Sequence, residues 1–257
     1  MIAWCAGRWL PEDQLPARSG WSPFETLGAV AGQCPLWSRH LARLAAAAAR
    51  LQLVMPDAAM LRGPATDLLL RNGHTEHVLR LQLRVTAAGA LPVLQSRTRS
   101  PVRTVLLLPT VVERRADDPP GDLKAEPRRF YDAVRQQAQD GGADDGVVVA
   151  GDGAVLETAT GNLWACLDGV WCTPPLDGRV LPGVARGLLL ERAAVVGVKV
   201  AERPLALADL HAASALAVSN AVHGVRPAAW LGGVAEVDAV ALGIGLIWCL
   251  AREVVTE

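Results

Sequence analysis

Residues 154–186 read AVLETATGNLWACLDGVWCTPPLDGRVLPGVAR, and how this stretch is parsed decides the fold. Glu157 ends the strand-like Ala-Val-Leu-Glu-Thr, where a glutamate among apolar neighbours is costly to bury unless it is paired. Asn162 opens a second apolar strand through Leu163-Trp164-Ala165, and Asp168-Gly169 suits a tight hairpin to a third. Leu181 to Arg186 then has the chemistry of a helix start: Pro182 fits the first turn and Gly183 allows close backbone approach. The N–H groups of Val184 and Ala185 would point at an anion there, helped by the helix dipole. Plainer readings stand beside each of these. Glu157 can be an exposed strand-end carboxylate, Asn162 can satisfy a loop backbone, and the helix start can be ordinary.

Downstream, strands are expected at Val198–Arg203, Ala215–Ser219 and Val225–Trp230. Ser219-Asn220-Ala221 makes either a second backbone cradle or a plain strand exit. The longest apolar run, Ala239–Ala251, is too short for the roughly 20 residues of a membrane span and reads as a buried terminal helix. Upstream, a strand at Gly146–Ala150 and a helix over about 127–140 follow Glu113–Gly121, a charged and then proline-rich segment without periodicity that reads as a linker. Earlier still come a hairpin (Ile2–Leu10), a strand (Phe24–Val30), an Ala-rich helix (Trp37–Leu53) and strands at Val78–Thr86 and Val102–Leu108, with a turn at Ala88–Pro92. The expected class is α+β with two domains, residues 1–114 and 122–257, joined by a linker at 115–121.

The chain has 257 residues, is 51% hydrophobic and 20% charged, and carries a net charge of -1. That balance suits a globular protein and offers no basic excess for nucleic acid. The N-terminus shows no signal-peptide pattern, no membrane association is expected, and a cytoplasmic location follows. Five cysteines with no C-x-x-C spacing point to reduced thiols rather than to a disulfide framework or a metal site.

Only two of the 25 basic residues are lysines, Lys124 and Lys199. Lys199 alternates with valines and reads as outward-facing on a strand. Lys124 lies just after the linker, where two domains would meet and a cleft is expected. Of Arg39, Arg43 and Arg50 on the first helix, one turned inward could contact phosphate bidentately, the others lining a solvated face. An amine that forms an imine, a carboxylate that holds a ring nitrogen protonated and a helix start that holds a phosphate are together what pyridoxal 5'-phosphate requires.

Seven segments in order, Phe24-Glu25-Thr26, His40-Leu-Ala-Arg43-Leu44, Leu123-Lys124, Glu157-x4-Asn162-Leu-Trp, Thr173-Pro-Pro, Leu181 to Arg186, and Ser219-Asn220-Ala221 before Pro227, resemble the fold-type IV pyridoxal-phosphate enzymes. That group includes branched-chain and D-amino-acid aminotransferases and aminodeoxychorismate lyase. The resemblance implies a homodimeric enzyme acting on a small-molecule amine, with an N-terminal α/β sandwich-like domain and a C-terminal pseudo-barrel with helices. It makes Lys124 the imine lysine, Glu157 the ring-nitrogen partner beside Asn162, and Arg43 the phosphate arginine. The amides of Val184, Ala185, Asn220 and Ala221 complete the phosphate site. Thr26, where branched-chain enzymes usually have glycine, and Tyr131-Asp132 after the lysine are similar to the 4-amino-4-deoxychorismate lyases; the alternatives are an aminotransferase, or a non-catalytic or secondary-metabolism member. Four features depart from the family pattern, the first being the segment Ala17–Pro23 before Phe24, which is shorter than the usual glycine-rich loop and lacks its aspartate. Ala185 stands where many members have threonine, Arg129 stands where aminotransferases have tyrosine, and Thr86-Ala87-Ala88 replaces the Thr-Arg-Gly that would name a carboxylate-binding arginine.

Overall fold

In the computed structural model, which describes residues 1–30, 32–73, 76–101 and 103–254, the chain gathers into two compact units. Among the described residues, the first holds Met1–Ser100 and Leu123–Pro127; the second holds Pro101–Asp122 and residues 128–254. In chain order, β1 (Ile2–Cys5), β2 (Arg8–Pro11) and β3 (Ser22–Val30) precede α1 (Trp37–Arg50) and α2 (Ala58–Arg71), and β4 (Glu76–Thr86) pairs with β5 (Gly89–Thr98). Then come β6 (Val105–Thr110), β7 (Ala125–Glu126), α3 (Arg129–Asp140), β8 (Asp145–Val149), β9 (Ala154–Thr158), β10 (Asn162–Leu167), β11 (Val170–Thr173) and α4 (Val184–Val196). The last elements are β12 (Val200–Glu202), β13 (Leu205–Ala206), α5 (Leu207–Ala212), β14 (Ala215–Asn220), β15 (Gly224–Trp230), α6 (Val237–Val240) and α7 (Leu246–Val254).

The first unit is a six-stranded sheet in the order β2-β1-β5-β4-β3-β7. Strand geometry sends alternate side chains to opposite faces, and β4 uses this plainly. Leu79, Leu81 and Leu83 join one core with Leu27 and Ala29 of β3 and with Leu44, Ala48, Leu61 and Leu68 of the two helices. α1 turns Trp37, His40, Leu44 and Ala48 inward at helical spacing. α2 starts from Asp57, whose carboxylate accepts the Ala59 N–H at 2.9 Å. The opposite face of the same strands carries Phe24 and Thr26 of β3 and, cross-strand, Gln82 and Arg80 of β4.

The second unit holds a nine-stranded mixed sheet in the order β12-β11-β10-β14-β15-β6-β8-β9-β13, curled into a half-barrel. Its core joins Val105, Leu107, Val147, Val155, Leu163, Leu216 and Val218. α3 packs Phe130 and Val134 against Val148, Leu156 and Val180.

Four expectations change. Val105–Thr110, expected in the first domain, lies between β15 and β8 in the second unit's sheet with parallel pairing to both; the expected first residue of that strand, Val102, lies outside the described residues. Conversely, Ala125–Glu126 pairs antiparallel with Ser22 and Pro23 in the first unit's sheet. Long-range pairing of this kind leaves no mark on local periodicity. The expected linker is folded: Asp118, 5% exposed, accepts the Arg115 N–H at 3.0 Å and the Arg129 guanidinium at 3.2 Å. The terminal helix is buried along one face only, because Ile244 and Ile247 are inside whereas Leu242 is 74% exposed. Among the described residues no helix is long and apolar enough to cross a membrane.

Leu81 sits fully buried in the first unit's core. Truncation to alanine removes its transfer free energy and leaves a cavity, so Leu81→Ala should destabilise that unit by about 2–5 kcal/mol. Urea unfolding followed by tryptophan fluorescence checks this, and an unchanged midpoint would contradict the core assignment.

Candidate active site

Glu25 lies in the β3 series that faces the helices, so the fold withdraws a carboxylate from water with only 1% exposure. Helix α1 answers it with two residues three apart. Arg43 donates from Nε to Oε1 at 2.8 Å and from Nη2 to Oε2 at 2.6 Å, and the His40 Nδ1 lies 2.6 Å from Oε2. Burial alone would raise the Glu25 carboxyl, but the Arg43 charge and hydrogen bonds, with those of His40, outweigh it and hold the group at about 2. Burial lowers His40 below its ordinary value, against the pull of Glu25. With the carboxylate ionised and able only to accept, the His40 Nδ1 is the donor of this pair.

On the opposite face of β3, Lys124 runs beside Phe24. The Phe24 N–H donates to the Lys124 carbonyl at 3.0 Å, and the Lys124 Nζ lies 4.9 Å from the Phe24 ring centroid. Arg80 stacks over the same ring at 3.8 Å and pairs with Glu126 at 2.6 Å. Thr26, half-buried and cross-strand from Arg80, shares this face by strand alternation. The first unit therefore brings Lys124 and Thr26 to one side of its sheet, while Arg43 reaches Glu25 from the other.

In the second unit Glu157 lies near the end of β9, Asn162 opens β10, and Asn220 ends β14, the strand beside β10. Glu157, 4% exposed, accepts the Tyr131 hydroxyl at 2.5 Å on Oε1; on Oε2 it accepts the Leu181 N–H at 3.3 Å and the Asn162 Nδ2 at 3.4 Å. Asn162 also donates to the Leu181 carbonyl at 2.9 Å, so it both orients the carboxylate and fixes the segment leading into α4. That segment passes so close that a Cβ at Gly183 would overlap the Asn162 Oδ1. α4 begins at Val184 with Gly183 as its cap and no capping side chain, leaving the first-turn N–H groups without intrahelical acceptors. Asn162 pairs across to Ser219. The Asn220 side chain donates to the Thr160 carbonyl at 3.2 Å and accepts from Val222 and His223, which braces the turn holding Ala221.

Tyr131, given no chemical role from the sequence, is the residue that reading missed. Burial first, and the adjacent Glu157 carboxylate second, push its phenol far above the usual range. Arg129, standing where the aminotransferase pattern has tyrosine, is ion-paired with Asp117 at 2.8 Å and Asp118 at 3.2 Å. Among the described residues no group of three or more His, Cys, Asp or Glu is placed to hold a metal, and all five cysteines are free. Within the second unit, a buried carboxylate with fixed donors leads directly into an uncapped helix start, a donor set whose chemistry suits a protonated ring nitrogen and a phosphate.

The sequence model for amino-transferase class IV matches residues 22–230. The chain belongs to this family, which is pyridoxal-phosphate dependent. The branched-chain-amino-acid aminotransferase of Escherichia coli (strain K12) is 30% identical over 112 residues, 44% of this chain and 34% of that protein. The match thus spans about a third of the curated relative. Among solved structures, the branched-chain aminotransferase from the thermophilic archaeon Thermoproteus uzoniensis, with norvaline, superposes with TM-score 0.84 at 20% identity, covering 99% of this chain and 94% of that one. A Legionella pneumophila protein provisionally named a 4-amino-4-deoxychorismate lyase gives TM-score 0.78 at 19% identity, covering 93% and 98%. The fold is that of fold-type IV transaminases.

Because Glu25 is held below its unfolded value of 4.5, to about 2, its contribution to stability is present above the unfolded value and is lost as pH falls toward the folded one. The shift corresponds to roughly 3 kcal/mol. Stability of the parent should therefore fall between about pH 5 and pH 2 more steeply than that of Glu25→Gln. Denaturant titrations across that window check it; equal slopes would contradict the ion cluster.

Proposed function

We propose that this chain is a pyridoxal-phosphate-dependent lyase that converts 4-amino-4-deoxychorismate to 4-aminobenzoate and pyruvate, working as a homodimer on a small-molecule amine. The observation that carries the reading is the shared sheet face of Lys124, beside Phe24, and Thr26. A hydroxyl on the lysine's face gives elimination a group that can hold a proton, which glycine at that position would not. Five free cysteines support a reducing, cytoplasmic setting.

When bound, pyridoxal phosphate supplies an aldehyde that combines with amines and a ring that withdraws electrons from the carbon bearing the substrate nitrogen. Lys124 would be the amine that retains it and the base that takes the proton from that carbon. Glu157, aligned by Asn162 and the Leu181 N–H, holds a proton at the ring nitrogen. The amides of Val184 and Ala185 at the start of α4 and those of Asn220 and Ala221 would bind phosphate; Arg43, the expected phosphate arginine, meets Glu25 on the other face of its own sheet. Arg80, cross-strand from Thr26 on β4, offers a cation to a substrate carboxylate. Loss of the ring proton together with the enolpyruvyl group leaves an aromatic product, so no amino acceptor is consumed.

A second reading, an amino-acid aminotransferase, is favoured by the 30% identity to the branched-chain enzyme. It uses the same lysine, carboxylate and phosphate site but requires a keto-acid acceptor. Purified protein given 4-amino-4-deoxychorismate should release pyruvate with no keto acid added, and Lys124→Ala should lower the rate by at least about 100-fold. Turnover that depends on 2-oxoglutarate would replace the lyase reading with the second one. A fully active Lys124→Ala would contradict both.

A further inference from the structure

The chain contains a single tyrosine, and the fold directs its hydroxyl at the buried Glu157. α3 turns Phe130, Val134 and Ala138 into the second unit, and Tyr131 follows Phe130 with its ring edge-on at 5.1 Å between centroids. Two guanidiniums lie over the tyrosine ring, Arg114 at 5.1 Å and Arg128 at 5.2 Å. Both are anchored by backbone carbonyls, Arg114 on Pro119 at 2.5 Å and Arg128 on Ala159 at 2.7 Å. The ring is thus located by packing and by two cations, independently of what its hydroxyl does.

A phenol has one proton to donate. Its two acceptors are the Glu157 Oε1 at 2.5 Å and the Gly121 carbonyl at 3.4 Å, and the shorter contact to a charged oxygen takes it. On the other carboxylate oxygen, the Leu181 and Asn162 donors stand at 3.3 and 3.4 Å, near the outer limit of useful hydrogen bonds. Tyr131 therefore provides the strongest hydrogen bond in this set.

We propose that Tyr131 is a positioning residue for the cofactor chemistry: its phenol pins one oxygen of Glu157 and so fixes the plane in which the carboxylate meets the ring nitrogen. This rests on the reading of Glu157 as the ring-nitrogen partner. The charged groups facing the phenol are Glu157, Arg114 and Arg128; the carboxylate holds the phenol proton in place, while the cations favour its loss. Removing only the hydroxyl keeps the ring's packing and releases the carboxylate.

Because the chain has one tyrosine, its ionisation can be followed directly by tyrosinate absorbance in the full chain without added cofactor. The parent phenol should ionise above the ordinary value of about 10, and Glu157→Gln should lower that midpoint by about one unit or more. With pyridoxal phosphate added, Tyr131→Phe should keep the visible band that Lys124→Ala lacks. The pH midpoint of the band should move, and kcat should fall about tenfold, the scale of one hydrogen bond to a charged group, with KM less affected. Identical tyrosine titrations in the parent and Glu157→Gln would overturn the proposal. So would a Tyr131→Phe variant whose band midpoint and kcat match the parent. A parent with no Lys124-dependent band would overturn the cofactor reading itself, and the role of Tyr131 with it, even where the titration shows the Tyr131–Glu157 pair formed.

Discussion

Two strand carboxylates, Glu25 and Glu157, are almost wholly withdrawn from water, at 1% and 4% exposure, and much of each unit's local arrangement answers that constraint. A buried carboxylate without partners is strongly destabilising, so donors must converge from elements distant in sequence. Around Glu25 they come from one helix, and this sets which turn of α1 faces β3. Around Glu157 they come from α3, from β10 and from the loop before α4. The second arrangement ties a carboxylate to the approach of a helix start, and so holds the proposed ring-nitrogen partner and the proposed anion site in one local frame.

Each unit carries residues to which the proposed function gives a role. The first presents Lys124 and Thr26 on one sheet face, with Arg80 over the same phenylalanine ring as the lysine. The second presents the carboxylate, Asn162, the uncapped amides of Val184 and Ala185, and the braced turn after Asn220. In the proposed reading the choice of elimination over amino transfer turns on the Thr26 hydroxyl, since Lys124 and Glu157 serve both outcomes alike.

Much of this is legible in the sequence because residue type and spacing carry it. The period-two leucines of β4, the Ala-rich α1 and the Pro-Gly helix start are local patterns with local causes. The misses are non-local or self-contradictory. α2 carries Gly63 and Pro64 in its interior, both poor helix formers, and its tertiary packing overrides them. β5 begins at Gly89 and includes Pro92, so its start reads as a turn, although Leu83 pairs with Pro92 across the hairpin. The places of β6 and β7 follow from partners far along the chain. Tyr131 escapes because its partner is on another strand, and nothing in the helix that bears it marks a hydroxyl as functional. Glu25 is more accessible, since strand alternation puts it on the face of Leu27 and Ala29 and so demands a cation opposite.

With two lysines in the chain, Lys124 and Lys199, the central claim reduces to which of them takes the cofactor. Borohydride reduction of the protein loaded with pyridoxal phosphate, followed by proteolysis and mass spectrometry, should find the phosphopyridoxyl mass on the peptide containing Lys124. The same mass on the Lys199 peptide, or on neither, would contradict the account.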